Sequence, residues 1–317
     1  MRFFKTTKDL IKNYLRYRLL RLKLAYLVKK SGADDKTWVF LMPCSIGDVL
    51  FLCSLIAAFK VKNGGKVAVL VKQNHELIAK MFRDIDFCIS LKSLSFEYAD
   101  YSKICNSAVI KKGEIFIAHP ELNPSLSTVS GILGYKDLTL LDLYKMMLNL
   151  GMKAEMAVPN FDIYNLNKAK DFFNENNLNS QKTIILFPTA ATCAEVGEIF
   201  WKNIISSFTA IGFKVLINAE KNNSAFEQDD VIKINKSLDE VIAISLTCYG
   251  AISLRSGICD LLCFGKKKIA VLYPDENSYE IFNLRNIFNQ RSDLLEMVLD
   301  KNSNQESVEK AVLELFR

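Results

Sequence analysis

The sequence predicts an α/β protein with two domains, each a doubly wound parallel sheet with helices on both faces. The chain has 317 residues, about twice the ~150 of one domain. From residue 36 onward, short apolar runs alternate with helical patterns, which is typical of parallel sheets. A polar, asparagine-rich stretch at residues 159–181 separates two series of similar size. Hydrophobic residues make up 50% of the chain and charged residues 24%, which excludes disordered and small disulfide-stabilised classes.

The first series predicts an N-terminal domain at residues 36–165. Buried strands are expected at 38–42, 67–71, 87–89 and 115–118. Helices are expected at 49–59, 75–82 and 142–150, and the last of these is closed by Gly151 as a C-cap. A further helix near 166–173 lies in the polar stretch between the two domains.

The second series predicts a C-terminal domain at residues 180–300. Its strands are expected at 183–187, 214–218, 250–253 and 269–273, and its helices at 199–208, 238–246 and 257–262. An amphipathic helix is expected at the C-terminus, within residues 303–317.

The net charge of +6 is concentrated at the N-terminus, because residues 1–30 contain ten Lys or Arg and one acidic residue. No apolar run there reaches the ~20 residues that span a bilayer. An apolar side (Phe3, Leu10, Ile11, Tyr14, Leu15, Leu22, Tyr26) lies opposite a basic side (Lys5, Lys8, Lys12, Arg16, Lys23). We therefore predict at residues 1–35 a cationic amphipathic helix on an anionic membrane surface. The alternative is a helix packed on its domain with a solvated basic face.

The eight cysteines contain no CxxC pair, and the chain has two histidines, His75 and His119. Neither histidine has a cysteine at ligand spacing, so we expect no metal site. Scattered free cysteines in a long chain indicate a reducing cytoplasm.

Ligands of doubly wound folds bind at the carboxyl ends of the strands. Three strand-to-helix turns at such ends have an unusual composition and are therefore candidate functional sites. The first turn contains Ser45, Gly47 and Asp48 at a helix start, where Asp48 is either functional or a plain N-cap. His119 follows the last strand of the first domain, where it is either a site residue or a solvated loop histidine.

The second and third turns could hold phosphate groups. Thr189 and Thr192 follow the first strand of the second domain, in what is otherwise an ordinary capping loop. The third turn holds Arg255, Ser256, Gly257 and Asp260; its alternative interpretation pairs Arg255 with Asp260 or another acid. A GxGxxG motif and a Walker A motif are absent from the sequence, which disfavours NAD enzymes and P-loop NTPases.

Taken in order, these turns resemble the heptosyltransferase family (glycosyltransferase family 9). Residues 45–50 resemble its S-x-G-D-V-L signature, and residues 142–151 its helix ending in Leu-Gly. Residues 187–201 fall on its threonine-containing loop, residues 218–220 on a segment whose Glu contacts the ribose, and residues 252–264 on its D-S/T-G-x-x-H segment. The resemblance covers residues 37–275. It implies a GT-B fold, in which two Rossmann-like domains face a cleft.

Three departures from the family pattern fall on the donor phosphate site. Arg255 stands where the family has Asp, and Asp260 where it has His. The basic residue expected before Trp201 is missing, with Glu195 and Glu198 nearby instead. The fold of the family thus carries over better than its usual donor, ADP-heptose.

The resemblance implies an inverting, metal-independent glycosyltransferase without a cofactor, whose co-substrate is a nucleotide-diphosphate sugar. It would move a heptose or related sugar to a lipopolysaccharide or other cell-surface glycan. The basic N-terminal helix fits an acceptor held at the inner face of the cytoplasmic membrane. Asp48 would be the catalytic base, and Ser45, Gly47 and His119 would lie on the acceptor side. The donor would be bound by residues of the second domain: Thr189, Thr192, Glu220, Arg255, Ser256, Gly257 and Asp260.

Two alternatives stay open. A GT-B transferase could use a GDP- or UDP-sugar in capsule or O-antigen synthesis. A non-catalytic, membrane-docked scaffold of glycan assembly is the other, although a scaffold has no need of Asp48. Nucleic-acid binding is not expected, because the basic residues are not spread over the body of the protein.

Overall fold

The computed structural model describes residues 2–92, 109–122, 126, 128, 138–161, 166–190, 196–218, 226, 231–288, 291–299 and 304–317, without the side chains of residues 2–11. The chain divides into two compact units, Met1–Pro159 and Asn160–Arg317. The division falls at the start of the asparagine-rich stretch. Each unit is an α/β domain with its own parallel sheet.

The first unit has a sheet in the order β3-β2-β1-β4, and all three strand pairs are parallel. Its elements follow one another along the chain as α1 (Arg2–Lys30), β1 (Trp38–Met42), α2 (Ile46–Asn63), β2 (Val67–Val71), α3 (Glu76–Lys80), β3 (Phe87–Ser90), β4 (Ile115–Ile117) and α4 (Leu140–Met147). Every residue of β2 is buried, as expected of a central strand covered on both faces.

The second unit has a sheet of six parallel strands in the order β10-β9-β8-β5-β6-β7. Its elements are α5 (Leu166–Glu175), β5 (Thr183–Phe187), α6 (Glu198–Ala210), β6 (Lys214–Ile217), β7 (Val231–Lys233), α7 (Leu238–Thr247), β8 (Gly250–Leu254), α8 (Gly257–Phe264), β9 (Lys268–Tyr273), α9 (Glu276–Phe282), α10 (Arg285–Phe288), β10 (Leu294–Val298) and α11 (Gln305–Phe316). α5 packs against α7, and α11 packs against α6. The polar stretch therefore supplies a helix to the second unit.

The predicted fold class is confirmed, since both sheets are parallel and alternate with helices. Two strands were missed, β7 and β10. β7 has three residues, none of them fully buried, so it gives no apolar run. β10 contains Glu296 within its five residues, and that acid interrupts the hydrophobic pattern. Both are edge strands of the sheet, where the sequence signal is weakest.

The strand order creates a switch point in each sheet. In the first unit the chain moves from β1 outward to β2 and β3, then returns to place β4 on the other side of β1. In the second unit β5 and β8 are the corresponding pair. Ligands of doubly wound sheets bind at the carboxyl ends of such strands, which is where the candidate residues lie.

The N-terminal helix α1 packs on the first unit through Leu20 and Leu24, which belong to one buried apolar cluster with Val39 and Leu41 of β1. In contrast to Leu20 and Leu24, Leu19 is exposed, and so are several residues of the predicted apolar side: Tyr14, Leu15, Leu22 and Tyr26. The helix therefore packs on its domain, as the alternative interpretation predicts, and it also presents an exposed apolar face, while binding to a membrane surface stays a prediction. No helix in the described part of the chain has the length and apolar content needed to cross a membrane.

Candidate active site

Asp48 is held by the turn between β1 and α2. Ser45 is the N-cap residue of α2 and has extended backbone angles. Its backbone N–H and its hydroxyl both donate to Oδ2 of Asp48, at 3.0 and 2.7 Å. Asp48 is therefore the third residue of the helix and is not itself the N-cap, which corrects the simplest structural interpretation of this residue. Gly47 is buried in the same first turn, whereas Ser45 is exposed.

Two further side chains reach the other oxygen of Asp48. The hydroxyl of Tyr144, on α4, donates to Oδ1 at 3.0 Å. Nε2 of His119, two residues beyond β4, lies 3.5 Å from the same Oδ1. Because β4 pairs with β1 in parallel, the ends of these strands lie side by side and bring His119 to the Asp48 turn. His119 is buried, which corrects its interpretation as a solvated loop residue.

The electrostatics of this cluster favour an ionised Asp48 beside a protonated His119. Burial raises the pKa of Asp48, but the hydrogen bond and charge of His119, with the Ser45 donors, outweigh it and lower that pKa below its usual value. Burial likewise lowers the pKa of His119, yet its contacts with Asp48 and Cys44 raise it to about 10. Burial and the Asp48 charge raise the pKa of Tyr144, so its hydroxyl stays protonated and can donate a hydrogen bond to Asp48.

Cys44 completes the cluster. The possible ligand atoms of Cys44, Asp48 and His119 lie within 4.8 Å of one another. Cys44 thus lies near His119 in space, although no cysteine stands at ligand spacing from His119 along the sequence. The spacing along the sequence could not show this contact, because the turn after β1 and the residues after β4 meet only through the sheet.

His75 and Tyr144 are the residues of this region that the sequence did not single out. His75 is buried just after β2, and burial together with Lys72 lowers its pKa to about 4, although Asp48 acts in the opposite direction. His75 is thus neutral near pH 7. Tyr144 is fully buried on α4, and a buried hydroxyl requires a partner. That requirement is the one signal in the sequence for its role.

In the second unit, the candidate residues follow the two strands at the switch point. Phe187 of β5 pairs with Ser253 of β8, so the turns after these strands are neighbours. Thr189 is exposed after β5, while Ser256 and Gly257 are half-buried at the start of α8. Thr192 and Glu220 lie outside the described residues, as does Glu195.

Arg255 and Asp260 pair with each other inside the second unit. Nη1 and Nη2 of Arg255 donate to the two carboxylate oxygens of Asp260, at 2.9 and 2.8 Å. The side chains are 8% and 1% exposed. Nε of Arg255 donates to the carbonyl oxygen of Phe282, and Nη1 also donates to that of Ser256. This geometry does not support the predicted phosphate contacts of these two residues, because their polar atoms face each other and the protein backbone.

The comparisons with known proteins define the fold. No model of a protein family matches the sequence, and no curated protein matches it either. Among solved structures, the chain resembles ADP-heptose lipopolysaccharide heptosyltransferase II of Escherichia coli, with a TM-score of 0.62 and 11% identity over 88% of this chain and 98% of the other. It equally resembles a family 9 glycosyltransferase of Veillonella parvula, with a TM-score of 0.62 and 13% identity over 90% and 99%.

A third similar structure belongs to a different class of enzyme. A UDP-N-acetylglucosamine 2-epimerase of Listeria monocytogenes matches with a TM-score of 0.51 and 11% identity over 89% of this chain and 88% of the other. The predicted GT-B fold and the resemblance to the heptosyltransferases are confirmed at the level of fold. Because the same fold occurs in an epimerase, the reaction has to be argued from the side chains of the site.

Proposed function

We propose that this protein is an inverting glycosyltransferase that moves a sugar from a nucleotide-diphosphate donor to a hydroxyl of a lipopolysaccharide or another cell-surface glycan. The observation that carries the proposal is the geometry of Asp48 at the switch point of the first unit, where its carboxylate accepts from Ser45 and Tyr144 and lies 3.5 Å from Nε2 of His119. The sugar is a heptose or a related one. The reaction needs no metal, because the protein's own groups supply the base and stabilise the leaving group.

Asp48 takes the proton of the acceptor hydroxyl. The acceptor oxygen attacks the anomeric carbon while the bond from that carbon to the diphosphate oxygen breaks, which inverts the configuration. With a lowered pKa, the carboxylate is a weak base, so it accepts the proton late, as the new bond makes the hydroxyl acidic. Such general base catalysis contributes on the order of 10²–10⁴ in rate.

The contacts of Asp48 give each neighbouring residue a separate task. Tyr144 and His119 hold Oδ1 from inside the unit. Oδ2 faces the exposed Ser45, so the acceptor hydroxyl reaches this oxygen from the surface. His119 keeps the carboxylate ionised, and Tyr144 is a positioning residue for it.

The donor diphosphate is placed at the start of α8. Ser256 is the N-cap residue of α8 and Gly257 is its first residue, and a helix N-terminus favours negative charge. Thr189, at the end of the neighbouring strand, adds a further donor, and Thr192 and Glu220 stay predicted donor contacts. Preorganised donors at a developing charge typically contribute about 3–4 kcal/mol to a rate. Arg255 and Asp260 support this turn from inside.

The nucleotide base is the open part of the proposal. A donor with ADP fits the similar heptosyltransferase, whose name includes ADP-heptose. A GDP- or UDP-sugar is favoured by one observation: the Asp and His of the family's phosphate segment are replaced by the buried pair of Arg255 and Asp260. A non-catalytic scaffold is disfavoured, because it would not need an ionised carboxylate held by Tyr144 and His119.

We further propose that α1 holds the protein on an anionic membrane surface, where such acceptors are found. Tyr14, Leu15, Leu19, Leu22 and Tyr26 are each 54–66% exposed. The spacing of residues 15, 19, 22 and 26 places four of them on one stripe of the helix. Lys12, Arg16 and Lys23 flank that stripe on one side and Arg18 and Lys29 on the other. A membrane-surface helix has this arrangement.

The decisive experiment compares Asp48→Asn with Asp142→Asn. Asp142 is the third residue of α4 and accepts from the N–H and hydroxyl of Thr139 at 2.9 and 2.8 Å, which is the arrangement of Asp48 and Ser45. Both variants lose a similar capping contribution, but only Asp48→Asn is expected to lower glycan transfer, by about 10²-fold or more. Equal activity of the two variants, with unchanged glycan output, would overturn the proposal in favour of a scaffold.

A further inference from the structure

We propose that Cys44, Asp48 and His119 form a binding site for one thiophilic divalent cation, such as Zn²⁺, and that the bound ion inhibits the enzyme by occupying the Asp48 carboxylate. The binding site stands on the cluster alone. The inhibitory effect rests on the proposed function, since it requires Asp48 to be the base.

The three side chains offer a sulfur, an imidazole nitrogen and a carboxylate oxygen, and these atoms lie within 4.8 Å of one another. Nε2 of His119 and Oδ1 of Asp48 are 3.5 Å apart. Zinc bonds of about 2.0–2.3 Å in a tetrahedron separate neighbouring ligands by roughly 3.5 Å. The nitrogen and oxygen therefore already stand at the separation that zinc requires, and the thiol lies close enough to join them.

The donor set selects the class of metal. Magnesium and calcium prefer oxygen ligands, whereas thiolate and imidazole favour zinc and other late transition metals. Three protein ligands leave a fourth position for water. Tyr144 and Ser45 hydrogen-bond to Asp48 and would orient its carboxylate, as partners of metal ligands commonly do.

The site is open to an ion from solution. Cys44 and Asp48 are half-buried, and Ser45 between them is exposed. Binding replaces the protons of the Cys44 thiol and the His119 imidazolium, which leave to solvent. The ion then shares the carboxylate oxygen that contacts His119, and its positive charge prevents that carboxylate from accepting a proton.

The test titrates the metal-stripped full-length protein with Co²⁺ and measures the thiolate-to-cobalt charge-transfer band, with Zn²⁺ as competitor. We expect one equivalent of Co²⁺, loss of the band in Cys44→Ser and weaker binding in His119→Gln. Cys88→Ser is the matched control, because Cys88 is also a half-buried thiol of the first unit and is not in the cluster. It should keep the band.

Absence of a thiolate band in the wild type, or its persistence in Cys44→Ser, would overturn the site whatever the activity. Zn²⁺ should also lower glycan transfer, and a chelator should restore it. A stoichiometric band without inhibition would overturn the inhibitory role. If the wild type transfers no sugar under any condition while the band is present, the proposed function fails and the metal site stands.

Discussion

Asp260 accepts two hydrogen bonds from the guanidinium of Arg255, at 2.8 and 2.9 Å, within the turn that the sequence assigned to the donor phosphates. The heptosyltransferase pattern has a carboxylate at position 255 and a histidine at position 260. In this protein the cationic residue stands at position 255 and the acidic residue at position 260, so the two have exchanged places. The two departures are therefore coupled, since each charge neutralises the other inside the second unit.

This pairing predicts that Arg255→Met and Asp260→Asn each lower the free energy of unfolding by roughly 3–5 kcal/mol, because each leaves one buried charge without its partner. The double variant Arg255→Met/Asp260→Leu should recover most of that loss. Urea unfolding at neutral pH measures all three. Glu198→Gln is the control, since its ion pair with Lys202 is exposed and contributes about 0–1 kcal/mol. A small loss of unfolding free energy in the single variants would contradict the prediction that Arg255 and Asp260 form a buried ion pair.

The same double variant tests where the donor binds. A nucleotide at ~100 times its dissociation constant stabilises a protein by about 2.7 kcal/mol, which is visible in Tm. We expect one of ADP, GDP and UDP to raise Tm of the wild type and of the folded double variant, and to raise it less in Ser256→Ala. CMP serves as the monophosphate comparison.

Ser237→Ala controls for the loss of a helix-capping serine, because Ser237 caps α7 beyond the edge strand β7, away from the switch point. Its nucleotide-dependent shift should equal that of the wild type. If the double variant folds but loses the shift, Arg255 contacts the donor as the sequence predicted.

The pair of His119 and Asp48 predicts a pH-dependent stability. Because the pKa of His119 rises from 6.5 to about 10 on folding, its contribution is complete below about pH 6.5 and is lost as the pH rises through 10. The pKa of Asp48 is lowered on folding. The ionised carboxylate therefore adds to the stability of the protein above the ordinary pKa of Asp, and that contribution is lost as the pH falls below this value. The unfolding free energy of the wild type should therefore exceed that of His119→Gln most near pH 6.

Urea unfolding of both proteins at pH 6, 8 and 10 measures this difference. It should shrink steadily over the series, as His119 loses its proton in the folded wild type as well. A difference that stays constant with pH would mean that His119 is neutral in the folded protein and contributes only by packing.

The exposed stripe of α1 predicts binding to anionic vesicles. Leu19→Asp/Leu22→Asp should abolish co-flotation with vesicles that contain anionic lipid, because each change places a charge in the apolar face and weakens the attraction of the basic flanks. Leu20 and Leu24 still hold the helix to its unit. Val61→Asp is the control, since Val61 is 90% exposed on α2. Equal flotation of the two variants would rule out the stripe as the contact.

The sequence was sufficient to predict most elements of both sheets, because buried parallel strands read as continuous apolar runs and their helices as periodic ones. It pointed to Asp48 through the resemblance of residues 45–50 to a family motif, since the turn by itself is also explained by a plain N-cap. It did not predict that Tyr144 contacts Asp48 or that Cys44 lies near His119, since those contacts depend on how α4 and β4 pack against β1. Its placement of Arg255 at a phosphate rested on composition, which does not tell whether a guanidinium faces a ligand or a buried acid.

Local patterning along the chain thus determined the fold class, the order of the elements, the location of the charge and the position of the candidate base. The tertiary structure decided the chemistry of the residues: that His119 is buried and protonated, that Asp48 is fixed by its neighbours, and that Arg255 is neutralised by Asp260. The physical reason is that hydrophobic periodicity is a local property of a sequence, whereas a pKa and a hydrogen bond depend on burial and on partners brought together from distant segments.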